Sequence, residues 1–315
     1  MTPGKAYLTP EEIRPLAERS DLRGAWLVAH CWGTIALALA LFALWPNPLT
    51  FVIAVMVIGS RQLGLAILMH EAAHNALFKS RGLNETVGEW LCGRPIMAEL
   101  AAYRHYHLTH HRFTQTDKDP DLVLSSKFPT SHASMKRKFA RDLTGRTGIK
   151  QLMGQIMMSV RLAGDDDAIK AAASDFAQSF KAPQLWKSLP VFFGVIVLMG
   201  IVGEWWWGLA FWLLPYLTWF QFVLRVRNIA EHGATEQSDD PFRNVRTTHA
   251  GPLARLLVAP YWVNYHLEHH MIMHVPCYNL PSLHRTLLDK GLGPRMNTAP
   301  GYGAALREAG WRAPA

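Results

Sequence analysis

Two pairs of apolar runs, set far apart along the chain, limit the folds open to this sequence more than any other feature. From 24 to 45 no charged residue occurs. At ~1.5 Å per residue, a helix of that length reaches across a hydrocarbon core of ~30 Å. Pro46, Asn47 and Pro48 break the run, and a second, from 49 to about 69, leads into His70 with only Arg61 and Gln62 interrupting it. A second pair covers 188–203 and 205–224, parted at Gly203 and Glu204 and marked by Trp205, Trp206 and Trp207. Tryptophans at such a turn fit the aromatic belt of a membrane–water interface. The expected fold is all-α and integral to the membrane: one domain, 1–315, with transmembrane helices at about 24–45, 49–69, 188–203 and 205–224. These form two hairpins, and the polar regions 70–187 and 225–315 build a helical cap. Semi-apolar pieces near 88–102 and 152–163 are too short or too charged to cross, and are expected at the interface. The Pro-bounded piece 252–263 is expected on the surface or against the polar region.

Charge supports the same reading. Charged residues make up 18% of the chain, below the quarter or so usual for soluble domains, while the mean hydropathy of +0.03 requires large polar regions beside the spans. Lys and Arg number 4 before the first run, 1 inside the second, 17 between 71 and 187 and 10 from 225 on, and neither short turn carries any. The positive-inside rule then puts both termini and the middle region in the cytoplasm, with the inner membrane of a bacterium as the expected location. Residues 1–23 are of mixed charge, without a cleavage site, and do not read as a signal peptide. The net charge of +8 comes with no nucleic-acid motif, so no nucleic-acid partner is expected and anionic lipid headgroups are the natural counter-charge. Cys31, Cys92 and Cys277 form neither a disulfide framework nor a CxxC site.

The chemistry lies in the histidines. His70-Glu71-Ala72-Ala73-His74 places two imidazoles one turn apart as the second run ends. His107-Leu108-Thr109-His110-His111 and His266-Leu267-Glu268-His269-His270 share an i, i+3, i+4 pattern that gathers three imidazoles on one side of a helix. Chance would give one such HxxHH roughly 0.03 times in a chain like this, and two on the order of once in a thousand. His30, His132 and His249, standing alone, read as ordinary core or surface residues. Eight clustered imidazoles without a metal would leave many buried nitrogens in need of partners. Imidazole suits iron, copper, zinc and nickel, and eight ligands are too many for one ion, so two ions are implied.

HEAAH, HLTHH and HLEHH, in that order around two apolar hairpins, resemble the three histidine boxes of the membrane fatty acid desaturase and hydroxylase superfamily, in particular bacterial acyl-lipid desaturases. The resemblance runs from about 25 to 285 and implies a cytosolic dimetal site with two non-haem irons that uses O2 to oxidise an unactivated acyl carbon. It carries the ligand role to His70, His74, His107, His110, His111, His266, His269 and His270. An Asn-x-x-x-His pattern before the third box adds His232 as a ninth ligand, with Asn228 one turn earlier and in reach of a metal through water. Glu231 and Glu268 adjoin ligands and are candidates to accept their second N–H groups. Asp117, Asp119 and Asp121 resemble the family's acidic segment after box two, where Asp121 is the candidate to orient a ligand; a solvated turn at Pro120 is the alternative. His105 and His274 flank boxes out of phase. Asn264 and Tyr265 before box three and Asn279, Leu280 and Pro281 after it match the family's run, and His284 is expected to be a structural or headgroup contact. His30 and Arg61 lie within spans, where Arg61 would meet a carboxylate or line the acyl channel.

HEAAH also satisfies HExxH, in which Glu71 would be the general base of an intramembrane zinc metalloprotease. That reaction has no use for two further HxxHH boxes. Within the superfamily, acyl desaturation is the expected reaction, with hydroxylation of an acyl, sphingolipid, sterol or carotenoid substrate as the alternative. His266, where front-end desaturases carry Gln, argues against that regiochemistry. The sequence holds no HPGG of a fused cytochrome b5, no GxGxxG and no ferredoxin cysteines, so electrons are expected from a separate ferredoxin or cytochrome b5 donor on the cytosolic face.

Overall fold

A computed structural model describes residues 3–161 and 182–310. The interfacial piece expected at 152–163 lies partly outside those residues, and cap residues 162–181 and 311–315 lie wholly outside them. Among the described residues, four helices are long and apolar enough to cross a membrane: Asp21–Leu44, Pro48–Ala73, Leu185–Val202 and Leu209–His232. We label the helices α1 (Asp21–Leu44), α2 (Pro48–Ala73), α3 (Leu100–Phe113), α4 (His132–Leu143), α5 (Ser188–Val202), α6 (Trp219–His232), α7 (Pro252–Leu257), α8 (His266–Met271) and α9 (Tyr302–Ala309). A two-residue parallel pair, β1 (Thr247–Thr248) with β2 (Thr298–Ala299), is the one departure from all-α among them.

Local chemistry sets the helix starts. The Ser20 side chain accepts from the Arg23 N–H at the head of α1, with Asp21 in the first turn. The Asn47 side chain accepts from the N–H groups of Leu49 and Thr50, and Pro48 occupies the first helical position of α2. A helix therefore restarts after a break of three residues, 45–47. Leu27, Cys31, Ile35, Ala38 and Phe42 form the inward stripe of α1, while Leu37 and Leu44 face outward as lipid-facing residues do. α2 is the most enclosed of the four spans; from Ile58 to Ala73 every residue but Ala66 is buried.

That enclosure explains where the helices outrun the apolar runs. α2 continues past 69 to Ala73, and the fourth span continues past 224 to His232. Hydropathy marks the part that can meet lipid; packing against neighbouring elements supports the polar turns beyond it. The fourth span also changes pitch, with a π-helical turn at Leu209–Leu213, a short helix at Leu214–Leu217 and a break at Thr218 before α6.

Two segments clamp the C-terminal half of α2. Residues 88–93 form a π-helical turn in which Gly88 approaches Ala72 so closely that an added Cβ would lie 2.4 Å from the Ala72 Cβ. The other is α7, which has no buried residue and so lies on the surface, one of the two places expected for 252–263; it packs on α2 rather than on the polar region. Ser60 Oγ donates to the Leu257 carbonyl at 2.6 Å, and Arg61 Nη2 donates to the Leu256 carbonyl at 2.6 Å. Arg61 thus meets backbone carbonyls at the end of a short helix, not a carboxylate. Behind it, Tyr261 and Trp262 adopt positive φ values of 55° and 57°, turning the chain toward α8. The Tyr261 ring sits over Gly64, where an added Cβ would come within 2.9 Å of it, and its hydroxyl meets His30 Nδ1 at 3.2 Å.

Candidate metal centre

α2 carries His70 in its last turn and ends at His74; α3 carries His107, His110 and His111; α6 ends on His232; α8 carries His266, His269 and His270. These four elements converge, and the nine imidazoles fall into two groups. His70, His74, His107, His111 and His269 form one, and His110, His232, His266 and His270 the other, with the potential ligand atoms within each lying inside 4.8 Å of one another. Each HxxHH box divides in the same way. The i, i+4 pair goes to one group and the i+3 histidine to the other: His107 and His111 against His110, His266 and His270 against His269.

The nitrogens point at each other. His107 and His111 approach Nε2 to Nε2 at 2.9 Å, His111 and His269 at 3.0 Å, His232 and His266 at 2.8 Å, and His266 and His270 at 3.1 Å. Tautomers follow from the outer nitrogens. Thr114 Oγ1 donates to the His110 carbonyl at 2.8 Å, so at its 3.3 Å contact it accepts the N–H of His270 Nδ1. His266 Nδ1 faces a Glu231 carboxylate oxygen at 3.5 Å. The His270 ring therefore turns an Nε2 lone pair inward, 3.1 Å from His266 Nε2. A cation between the rings would satisfy that lone pair. His70 Nε2, His74 Nε2, His232 Nδ1 and His269 Nδ1 are buried without a hydrogen-bond partner, and all-imidazole donors suit a first-row transition metal. The residues fit a pair of metal ions.

Burial first, then neighbouring imidazoles, hold His107, His111, His269 and His270 well below the ordinary histidine value; His266 is lowered by burial and then by His232 and Arg227. His74 is pushed down to about 3 by burial and then by Arg104. His110 goes the other way: burial opposes its charge, but Asp121 and Asp119 outweigh burial and raise it. Neutral imidazole is the form that ligates a metal.

A sequence model of the Fatty acid desaturase family matches residues 43–298. The chain belongs to the fatty acid desaturase family. Similar proteins include the dihydrorhizobitoxine desaturase of Bradyrhizobium elkanii, 27% identical over 302 residues that cover 92% of this chain and 79% of that one. A beta-carotene ketolase of Paracoccus sp. (strain PC1) is 24% identical over 295 residues, covering 91% and 98%. An sn-1 acyl-lipid omega-3 desaturase (ferredoxin) of Nostoc sp. (strain 36) is 23% identical over 237 residues, covering 70% and 63%. This fatty acid desaturase family member is an integral membrane protein of oxidoreductase type.

The groups around the histidines differ in part from the sequence reading. Asp119 Oδ1, not Asp121, takes the short contact to His110 Nδ1, at 2.8 Å against 3.6 Å for Asp121 Oδ2. Asp121 instead accepts from the Tyr106 hydroxyl. A Glu231 oxygen lies 3.5 Å from His266 Nδ1, too far for a hydrogen bond, and Arg227 grips Glu231 from one turn back at 2.7 Å. Glu268 turns away: its oxygens take His284 Nδ1 at 2.6 Å and the Thr247 hydroxyl at 2.5 Å. His284 is thereby a buried structural contact. Asn228 lies half-buried on α6, and His105 and His274 join neither group. Glu71 answers the metalloprotease alternative. Its Oε2 accepts the Cys277 N–H at 2.8 Å, and its Oε1 lies 3.4 Å from His70 Nδ1. One oxygen is thus held by the backbone and the other lies beside His70 without a hydrogen bond, a placement unlike that of a free general base. Thr114 and this placement of Glu71 escaped the sequence reading; only the general rule that a ligand histidine's second nitrogen meets an acceptor could have signalled them.

Proposed function

We propose that the chain is a membrane diiron desaturase that inserts a double bond into a fatty acyl chain or lipid. The observation that carries this reading is the division of nine buried histidines into a group of five and a group of four, within a family match that covers most of the chain. His70, His74, His107, His111 and His269 would hold one iron and His110, His232, His266 and His270 the other. Bound there, the irons supply reductive activation of O2. In balance, two hydrogens leave adjacent acyl carbons, a donor supplies two electrons, two protons are taken up, and O2 ends as two waters. The chain's own contribution is to keep most of the imidazoles neutral and aimed inward, with Asp119 and Asp121 beside His110, and to bury them away from bulk water. The positive-inside count favours a cytoplasmic location for the cap and both termini, and a separate electron donor would dock there. The name of the Nostoc relative, which includes ferredoxin, favours that donor over cytochrome b5.

Oxygen insertion is the second reading, favoured by the beta-carotene ketolase relative that aligns over nearly its full length. Desaturation and oxygenation share the first hydrogen abstraction and part according to sub-ångström placement of the substrate. The test is expression in a bacterial host, with lipids compared by mass spectrometry against a His269→Ala control. Loss of two hydrogens from an acyl chain supports desaturation; gain of oxygen on an acyl, sphingolipid, sterol or carotenoid substrate overturns it in favour of the second reading.

A further inference from the structure

The helices that deliver histidines end in the cap, where their last carbonyls have no partner inside the helix. Two of those ends are closed by arginines from elsewhere in the chain. At the end of α2, Arg104 Nε donates to the Ala73 carbonyl at 2.9 Å and Nη2 to the Ala72 carbonyl at 3.2 Å. Arg104 stands on α3 one turn before His107, so one side chain joins the helix of His70 and His74 to the helix of box two. Glu85 holds its far side at 2.8 Å. At the end of α6, Arg246 Nη1 donates to the carbonyls of Gly233 at 3.0 Å and Ala230 at 3.3 Å, while the Arg246 backbone N–H donates to the Glu231 carbonyl at 2.9 Å. The Arg246 side chain is fully buried and is met by Glu308 of α9 at 3.1 Å. From Arg246 the chain passes directly into β1, whose Thr247 holds Glu268 of α8.

We infer that Arg104 and Arg246 are positioning residues, each serving one metal group: Arg104 fixes the α2 end that aims His70 and His74, and Arg246 fixes the α6 end that aims His232. A guanidinium suits the task because its planar fork reaches two carbonyls at once and its charge complements the negative end of a helix. Lysine keeps the charge but reaches them as a single point.

The inference rests on the proposed metal-binding role of the nine histidines, and the test separates the two. Purified wild type, Arg104→Gln, Arg246→Gln and both Lys variants are titrated with Co2+, following the cobalt absorption bands and bound metal, with His74→Ala and His232→Ala as references for loss of each group. Affinity at one group should fall about 10–100-fold in each Gln variant. The spectrum left by Arg104→Gln should match His74→Ala, that left by Arg246→Gln should match His232→Ala, and Lys should restore part of the loss. Cobalt retained at the other group shows that the fold stands. Should a Gln variant not accumulate, its Lys variant carries the same comparison. Wild-type affinity at both groups in the variants, or equal loss at both, overturns the inference. A wild type that binds no cobalt at either group overturns the metal reading itself.

Discussion

Asp119 Oδ1 lies 2.8 Å from His110 Nδ1, both side chains are buried, and the same carboxylate accepts the backbone N–H groups of Gln115 and Asp121 at 2.8 Å each. One side chain therefore sets the tautomer of a histidine in the group of four and shapes the loop that follows α3. Asp119→Ala orphans the buried Gln115 N–H, at about 1–3 kcal/mol, frees the half-buried Asp121 N–H, and should weaken metal binding at that group about 10–100-fold. Thermal unfolding in detergent and iron content after dialysis check both. Unchanged iron retention would show that Asp119 serves the loop alone.

His269 and His110 stand in different groups although both are the i+3 residue of an HxxHH box. His269→Ala and His110→Ala are each expected to abolish turnover and to lower bound iron at different groups, with both proteins still recovered in the membrane fraction. Full activity in either variant would sink the ligand assignment.

Glu71 accepts the Cys277 N–H and lies beside His70, and an amide oxygen can do the first of these. Glu71→Gln is expected to keep measurable lipid oxidation, whereas loss of a general base costs about 100-fold to 10,000-fold. The same variant should show no change in proteolysis of membrane substrates, because none is expected of the wild type.

Gly88 has no room for a side chain against Ala72, two residues from His70 and His74. Gly88→Ala should push the 88–93 turn off α2 and destabilise the protein by about 1–3 kcal/mol, read as a lowered Tm. Iron retention should fall more than in Gly33→Ala, where an added Cβ meets nothing within 4 Å.

Lys136, Arg137 and Arg141 are exposed on α4, and α4 is tied to α6 by Arg225 Nη2 donating to Asp142 at 2.9 Å. An acidic electron donor would find this basic face within a helix diameter of α6. Lys136→Glu with Arg137→Glu should raise the KM for such a donor about tenfold and flatten its salt dependence. Turnover indifferent to ionic strength in the wild type would rule out electrostatic docking.

Features that depend on local geometry were legible without coordinates. An apolar run long enough to cross a bilayer announces itself by length, and histidines at i, i+3, i+4 spacing share a helix face wherever the helix goes, so the four spans and the eight clustered histidines could be named from residues alone, and His232 only through the family resemblance. What surrounds each histidine could not, because those contacts join residues far apart along the chain. Asp119 rather than Asp121 reaches His110 because the turn after α3 folds back on Gln115; Glu268 turns to His284 because β1 brings Thr247 beside it. The sequence alone determined which imidazoles could share a helix face. Only the packing of α2, α3, α6 and α8 decided that His107 and His111 would face His70, His74 and His269 while His110 faced His232, His266 and His270. Helical periodicity fixes the angle between neighbouring side chains, but the partner met at that angle is set by how separate helices are held against one another.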